Sequence, residues 1–460
     1  MSIAADLFYS TVAARETLHK RITPSDDQFD DQQTRWNDLA AFLRTRLKSD
    51  TNLDTRTWLQ GSYKFDTQIR PWKIGAEFDI DLGFYFEWNG APAQGGYSPE
   101  ELKSLVQAAL EDYQSDAKND ATCVDKPKER CCRINFKPDF HIDVPAYHLD
   151  PDRDARTLAT ETNGWEESDP KAIYEWFKKR YEEAAQRSQL RRLVRYLKMW
   201  AALQFPDDER PSSILLTVLA AESLQGYSVA GVADDDLLEH AALVIRRRLE
   251  RDYAVANPVN GQENLNRLND DGTQKLIDRL ESLGAVASRA RLSGDKATAA
   301  EIWAEAFQQF FPMPEDNDEI VEASSKGTAV AAYRFDPQVE VVAIPRQNKD
   351  RSWRGLNELP KIPKDCEIAF TLTNRSQLPA GAHVRWTVRN RGEEAGHQND
   401  LGHIAGTDTT VSRHSAYNGD HAMDLTVYFG DRVIGRRRIW VRIQGVAMPA
   451  RNPKRRRYFG

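Results

Sequence analysis

Three aspartates set on two short apolar runs carry the strongest chemical signal in this chain of 460 residues. The run Glu77-Phe78-Asp79-Ile80-Asp81-Leu82 alternates, and residues two apart on a strand share a face. Asp79 and Asp81 therefore project together, while Phe78, Ile80, Leu82, Phe84 and Phe86 project to the opposite side. Neighbouring carboxylates repel, so fold stability alone disfavours the pair; a bridging divalent cation removes that conflict. Asp139-Phe140-His141-Ile142-Asp143-Val144 repeats the pattern, with His141 and Asp143 opposite the apolar side chains. If this strand lies beside the first, Asp143 completes a cluster of three carboxylates. Hard oxygen ligands suit Mg²⁺, and two such ions can clamp the attacking and leaving oxygens of an in-line phosphoryl displacement. Upstream, Gly61-Ser62 adds a backbone that can approach a phosphate closely and a hydroxyl that can donate to it.

These residues need elements to hold them. Phe29, Trp36, Leu39, Phe42, Leu43 and Leu47 recur at helical spacing, and Thr51-Asn52 ends that run. Strands at 78–86 and 140–144 flank a helix at 99–113 and a short segment near 129–136, a mixture that implies an α/β or α+β unit. Residues 166–312 read as helix, in segments 169–187, 189–205, 212–225, 234–251, 272–292 and 296–311. An acidic, polar stretch at 313–330 suits a linker. Beyond it, 338–344, 365–373, 383–390, 422–429 and 433–443 alternate as strands, with Gly430-Asp431 as a turn between the last two. At roughly 150 residues per domain the length suggests about three units.

Composition narrows the function classes. Asp plus Glu is 70 against 63 Lys plus Arg, for a net charge of −7 and a pI near 5.8, which excludes a globally basic nucleic-acid coat and leaves local patches open. No apolar run of 18 residues and no secretory leader is present, so the expectation is a cytoplasmic protein without membrane contact. Four cysteines do not make a disulfide framework. Cys123, Cys131, Cys132 and His141 lack the spacing of compact zinc motifs and are read as reduced thiols and a strand histidine near Asp143.

Gly61-Ser62, Asp79-x-Asp81 and Asp143 together resemble the nucleotidyltransferase pattern of the polymerase-β superfamily, and more narrowly the cGAS/DncV-like nucleotidyltransferases (CD-NTases, the SMODS family). Trp165 with Ser168-Asp169-Pro170, the run Leu190 to Trp200, Pro211-Ser212-Ser213-Ile214-Leu215-Leu216 and Asn257-Pro258 support this over residues 1–312. The resemblance implies an α+β fold, with a polymerase-β-like nucleotidyltransferase core at 1–165 and a helical lobe at 166–312. It implies Asp79, Asp81 and Asp143 as catalytic metal ligands for Mg²⁺, with Mn²⁺ as a substitute. It makes Gly61, Ser62, Lys198 and Ser213 the holders of a nucleoside triphosphate. Lys198 lies just beyond an apolar helix face of Leu190, Leu193, Val194, Leu197, Trp200 and Ala201, from which its stem can reach a cleft. Ser213 is favoured over Ser212, although either can cap the helix starting near Ile214. Arg191, Arg192 and Arg195, on the other side, read as a solvated face.

Residues 331–445, with Arg385-Trp386-Thr387-Val388 and Thr426-Val427-Tyr428-Phe429, resemble the AGS-C domain, a β-sandwich sensor, followed by a basic tail at 446–460. The whole then implies synthesis of a cyclic di- or oligonucleotide second messenger from NTPs, in bacterial anti-phage signalling through an effector that binds the product. Linear oligonucleotide synthesis, nucleotide transfer to RNA or a small molecule, and a binding-only sensor are the alternatives. The terminal Gly460 adds the expectation of a ubiquitin-like E1/E2 partner acting on it.

Overall fold

The computed structural model describes residues 2–13, 15–73, 75–116, 118–137, 140–314, 335–430 and 432–448. Most of the expected linker, Asp431 of the expected turn, and the basic tail with Gly460 lie outside these residues. The chain divides into two compact units, Met1–Tyr9 with Ile22–Ser288, and Ser10–Arg21 with Arg289–Gly460.

An eight-stranded mixed sheet organises the first unit. The strand Phe78–Glu87 runs through its middle, and its first half pairs in parallel with Phe140–Val144, setting Asp79 opposite His141 and Asp81 opposite Asp143. Farther along, Phe84 to Glu87 pair in parallel with Ala146 to Leu149. On its other edge Asp54–Gln60 runs antiparallel, so that Gln60 meets Asp81. Cys132–Phe136 borders Phe140–Val144 antiparallel, with Arg133 opposite Asp143. Phe78, Ile80, Leu82, Phe84, Ile142 and Val144 are buried against the helices Asp26–Thr51 and Pro99–Ser115. Each such side chain contributes roughly 1.5–3 kcal/mol by leaving water. Both helices open on a reciprocal serine cap, Ser25 with Gln28 and Ser98 with Glu101. The first ends as expected, at Asn52 in the left-handed region.

The longer helices that follow the sheet in this unit are Pro170–Lys178, Ala184–Gln204, Ser213–Ser223, Asp234–Arg251 and most of Asp270–Arg291. The continuous helix expected over 169–187 is interrupted. It stops at Lys178, and the Arg187 guanidinium donates to the carbonyls of Tyr181 and Glu182, which a continuous helix would use for its own backbone. The apolar face of Ala184–Gln204 is as expected, with Leu190, Leu193, Val194, Leu197, Trp200 and Ala201 all buried. The solvated arginine face is not. Arg195 is buried and bonds Asp66 at 2.5 Å, Arg191 lies 3.5 Å from the same carboxylate, and Arg192 is paired with the buried Asp234 at 2.6 Å. Their partners come from segments far away in sequence, so a single helix pattern could not reveal them.

In the second unit a four-stranded and a five-stranded sheet enclose one core, in which Trp386 is fully buried. The helix Lys296–Phe307 and the segment 10–21 group with these sheets. A buried charge cluster holds them there. Asp424 accepts from Arg389 at 2.6 Å and Arg438 at 2.7 Å, Arg389 also donates to the Gln309 and Phe311 carbonyls, and Arg21 donates to Gln309 and Leu401. Burial works to raise the Asp424 carboxyl, yet Arg438 and then Arg389 hold it well below its ordinary value. The stability it contributes is therefore full above the ordinary aspartate range and is lost as pH falls through the depressed value. Asp424→Ala strands two buried guanidiniums and is expected to cost about 3–5 kcal/mol in a chemical-denaturation curve at pH 7, with a smaller loss in strong acid.

Candidate nucleotidyl-transfer site

Gly61 opens the short helix Gly61–Lys64 directly after its strand, at φ +56°, a backbone region that glycine enters without strain. A Cβ placed there would stand 1.8 Å from Oδ2 of Asp81, so the glycine is required by its neighbour as well as by its own conformation. The Ser62 carbonyl accepts from Thr67, folding the chain back beside the strand that carries the aspartates.

Oxygens of Asp79 and Asp143 and a ring nitrogen of His141 lie within 4.8 Å of one another. The three aspartates differ in their electrostatics. Burial pushes Asp81 well up, and the charges of Asp79 and Asp143 push it further. Burial also acts to raise Asp79, but the imidazole of His141, whose Nε2 lies 3.0 Å from Asp79 Oδ1, brings it below its ordinary value. His141 in turn pairs through Nδ1 with Glu77 at 2.6 Å; burial lowers its pKa, and the two carboxylates more than reverse that. His141 is a neighbour of Asp143, as the sequence suggested, but its side chain contacts Glu77 and Asp79. Asp143 is instead taken by Arg133, whose Nε and Nη2 reach its two oxygens at 2.5 and 2.7 Å.

A cavity of about 420 Å³ opens on this cluster, lined by Ser62, Asp79, Arg133, His141, Lys198 and Ser213, among others. Lys198 is buried, and its ammonium donates to the Thr67 carbonyl at 2.8 Å. Burial depresses its pKa to about 7, Arg195 adds to the depression, and Asp79 and Asp81 oppose it. Ser212 caps the helix Ser213–Ser223 by accepting from Leu215, while Ser213 faces the cavity. All seven residues singled out by the sequence thus belong to one region of the first unit.

Arg133, Glu77 and Gln68 were missed. Gln68 donates to the Asp79 carbonyl at 3.2 Å and lines the cavity. Arg133 could have been found: Cys132, Ile134 and Phe136 alternate as the buried residues of its strand, leaving Arg133 on the face that Asp143 uses across the pair.

Residues 55–147 match the family model described as the nucleotidyltransferase domain of cyclic GMP-AMP synthase DncV-like proteins, and residues 318–444 match the adenylyl/guanylyl and SMODS C-terminal sensor domain. A cyclic GMP-AMP synthase of Escherichia albertii is 28% identical over 456 residues, 98% of each chain. A c-di-GMP synthase of Roseivirga ehrenbergii is 26% identical over 231 residues, covering 45% of this chain and 59% of that one. Among solved structures, the Vibrio cholerae di-nucleotide cyclase DncV in complex with GTP and 5MTHFGLU2 superposes with a TM-score of 0.59 at 20% identity, covering 68% of this chain and 97% of that one. No helix among the described residues is long and apolar enough to cross a membrane.

Proposed function

We propose that this chain, a DncV-like nucleotidyltransferase carrying a C-terminal sensor domain, joins NTPs into a cyclic di- or oligonucleotide with Mg²⁺ as its metal. The observation that carries the reading is the register that sets Asp81 beside Asp143, with Gly61 against Asp81, next to a cavity lined by Ser62, Asp79, Lys198 and Ser213.

The fold family implies a divalent metal, and the donor set fits one. Burial raises Asp81 and the Asp79 and Asp143 carboxylates raise it further, against Lys198 and Arg133, and carboxylates set side by side on paired strands are the oxygen donors a hard cation takes. Asp79, Asp81 and Asp143 would hold the cation, which would neutralise phosphate charge and polarise the reacting oxygens. The remaining steps belong to the protein. Gly61 lets the backbone come close to the donor triphosphate, and Ser62 and Ser213 offer it hydroxyl donors. Lys198 supplies a charge-assisted bond to the same phosphates. Asp143 accepts from the attacking ribose hydroxyl once Arg133 releases it. Residues 331–445 serve as the sensing domain, a reading supported by the sensor-domain match over 318–444. The product then acts on an effector in anti-phage signalling.

Lys198 gives the reading a pH signature. With a pKa near 7, part of the lysine population is neutral at pH 8, and a bound triphosphate favours the ammonium. Nucleotide binding at pH 8 is therefore expected to take up a proton, and affinity to fall as pH rises above about 7. Calorimetry in buffers of different ionisation enthalpy measures this uptake, and Lys198→Met should abolish it while raising KM about 10- to 100-fold.

The activity test is pyrophosphate release from a mixture of ATP, GTP, CTP and UTP with Mg²⁺. Release in step with nucleotide consumption supports transfer. NTP binding without release, across all four nucleotides and with Mn²⁺ as well, overturns it.

A further inference from the structure

The acidic cluster includes a nitrogen beside its oxygens, since a ring nitrogen of His141 lies within 4.8 Å of carboxylate oxygens of Asp79 and Asp143. The two nitrogens of that ring are in different situations. Nδ1 faces the Glu77 carboxylate at 2.6 Å, an acceptor that holds the ring proton on Nδ1. His141 is only 8% exposed, and its Nε2 is buried with no hydrogen-bond partner among the described residues. Nε2 lies 3.0 Å from Oδ1 of Asp79, yet no hydrogen bond joins the two atoms. A buried polar atom without a partner is costly, and one set among carboxylates is satisfied by a cation.

We propose that His141 is a nitrogen ligand of the divalent-metal site, oriented by Glu77, and that the site therefore holds Mn²⁺ more tightly than Mg²⁺; this rests on the nucleotidyltransferase reading above. Histidines that bind metals commonly donate one ring N–H to a carboxylate and leave the other nitrogen for the ion, and Glu77, His141 and Nε2 are so placed. Two donors on adjacent positions of an octahedral ion, each about 2.1 Å from it, stand about 3 Å apart. The separation of Nε2 from Oδ1 of Asp79 is 3.0 Å. Both residues line the cavity, so an ion reaches them from solvent. Arg133 competes for Asp143, and the Asp79–His141 pair is the part an entering ion meets without displacing a guanidinium. Mg²⁺ is a hard ion that takes oxygen ligands, whereas imidazole suits first-row transition ions. The aspartates thus serve either ion, and His141 adds affinity for one class.

The test uses the full chain labelled with ¹⁵N, Mn²⁺ alone as the probe, and electron spin-echo envelope modulation. Wild type is expected to show coupling between bound Mn²⁺ and a directly attached ¹⁵N nucleus, and His141→Gln to lose it. That variant should bind Mn²⁺ at least about tenfold more weakly, with Mg²⁺ affinity, read by displacement of Mn²⁺, changed less than about threefold. Glu77→Ala, which removes the orienting carboxylate, should keep the coupling and weaken Mn²⁺ about tenfold. Melting curves confirm that each variant is folded, and the wild-type coupling carries the test if one is not. If wild type binds no Mn²⁺ that Asp81→Asn loses, the metal-dependent nucleotidyltransferase reading falls and this inference with it. If Mn²⁺ binds without ¹⁵N coupling, as it would beside a ring that keeps a proton on Nε2, the nitrogen ligand alone is overturned. The same holds if His141→Gln binds Mn²⁺ as wild type does, or loses both ions equally.

Discussion

Asp81→Asn is expected to abolish nucleotidyl transfer while making the metal-free protein more resistant to heat. Loss of one metal-holding carboxylate removes stabilisation of charge that develops only in the transition state, at least about a thousandfold in rate. The thermal gain follows from the opposite sign of the same group's electrostatics in the resting protein. Burial, Asp79 and Asp143 all raise Asp81 above its ordinary value, so folding costs more as the group ionises. Below the ordinary aspartate range both states are protonated and the penalty is absent. It grows as pH climbs through the raised value and persists above it. An amide of the same shape carries no such penalty, so the melting temperature of the variant in EDTA should exceed that of wild type, by about 2–4 °C per kcal/mol recovered. Adding Mg²⁺ should raise wild type and leave the variant nearly unmoved. Asp79→Asn should behave differently without metal, because the Asp79 carboxylate is paired with the imidazole of His141 at 3.0 Å. A melting temperature for Asp81→Asn below that of wild type in EDTA, or retained transfer, contradicts this account.

Gly61→Ala is expected to be nearly as damaging, although it removes no functional group. The methyl would overlap Oδ2 of Asp81, at 1.8 Å, and would sit on a backbone at φ +56° that costs an L-residue about 1–2 kcal/mol. The colliding atom belongs to a side chain that can swing, so the fold survives with a loss of about 1–3 kcal/mol. The swing, however, takes Asp81 away from Asp143. A displacement of about 1 Å at a reacting centre costs on the order of a hundredfold in rate. Steady-state kinetics should show kcat falling at least that far, with a melting transition that remains cooperative. If kcat stays within threefold of wild type, Gly61 has no positioning role.

The aspartate cluster was legible in the sequence because a strand writes its two faces as alternate letters. Asp79, Asp81 and Asp143 each stand between apolar neighbours, and the pairing of their strands required only that two such patterns be placed side by side. Lys198 was legible for a related reason, lying at the edge of the apolar face of Leu190, Leu193, Val194, Leu197, Trp200 and Ala201, although the helix is buried on every side from Leu193 to Ala202. The arginines on that helix were not. Whether Arg192 meets water or the Asp234 carboxylate depends on a helix more than forty residues later, and Arg195 depends on Asp66 in a loop before the helix. The alternation around Arg133 marks its face of the strand, but its partner Asp143 follows only from the strand pairing. The same holds for the division of the chain. Residues 296–311 have an ordinary helical pattern, but buried carbonyls at Gln309 and Phe311 are held by Arg389 of the sandwich, a long-range bond that no local pattern records.

The central claim is that the acidic cluster of the first unit makes a closed nucleotide ring. The most direct measurement incubates the purified full chain with all four NTPs and Mg²⁺ or Mn²⁺, digests the products with phosphatase, and weighs what survives by mass spectrometry. The account predicts a phosphatase-resistant species at the mass of two or more joined nucleotides less the waters of ring closure, absent from the Asp79→Ala, Asp81→Ala double variant. Products that lose every terminal phosphate and appear only as linear oligonucleotides would contradict ring closure, and an equal yield from the double variant would contradict the site.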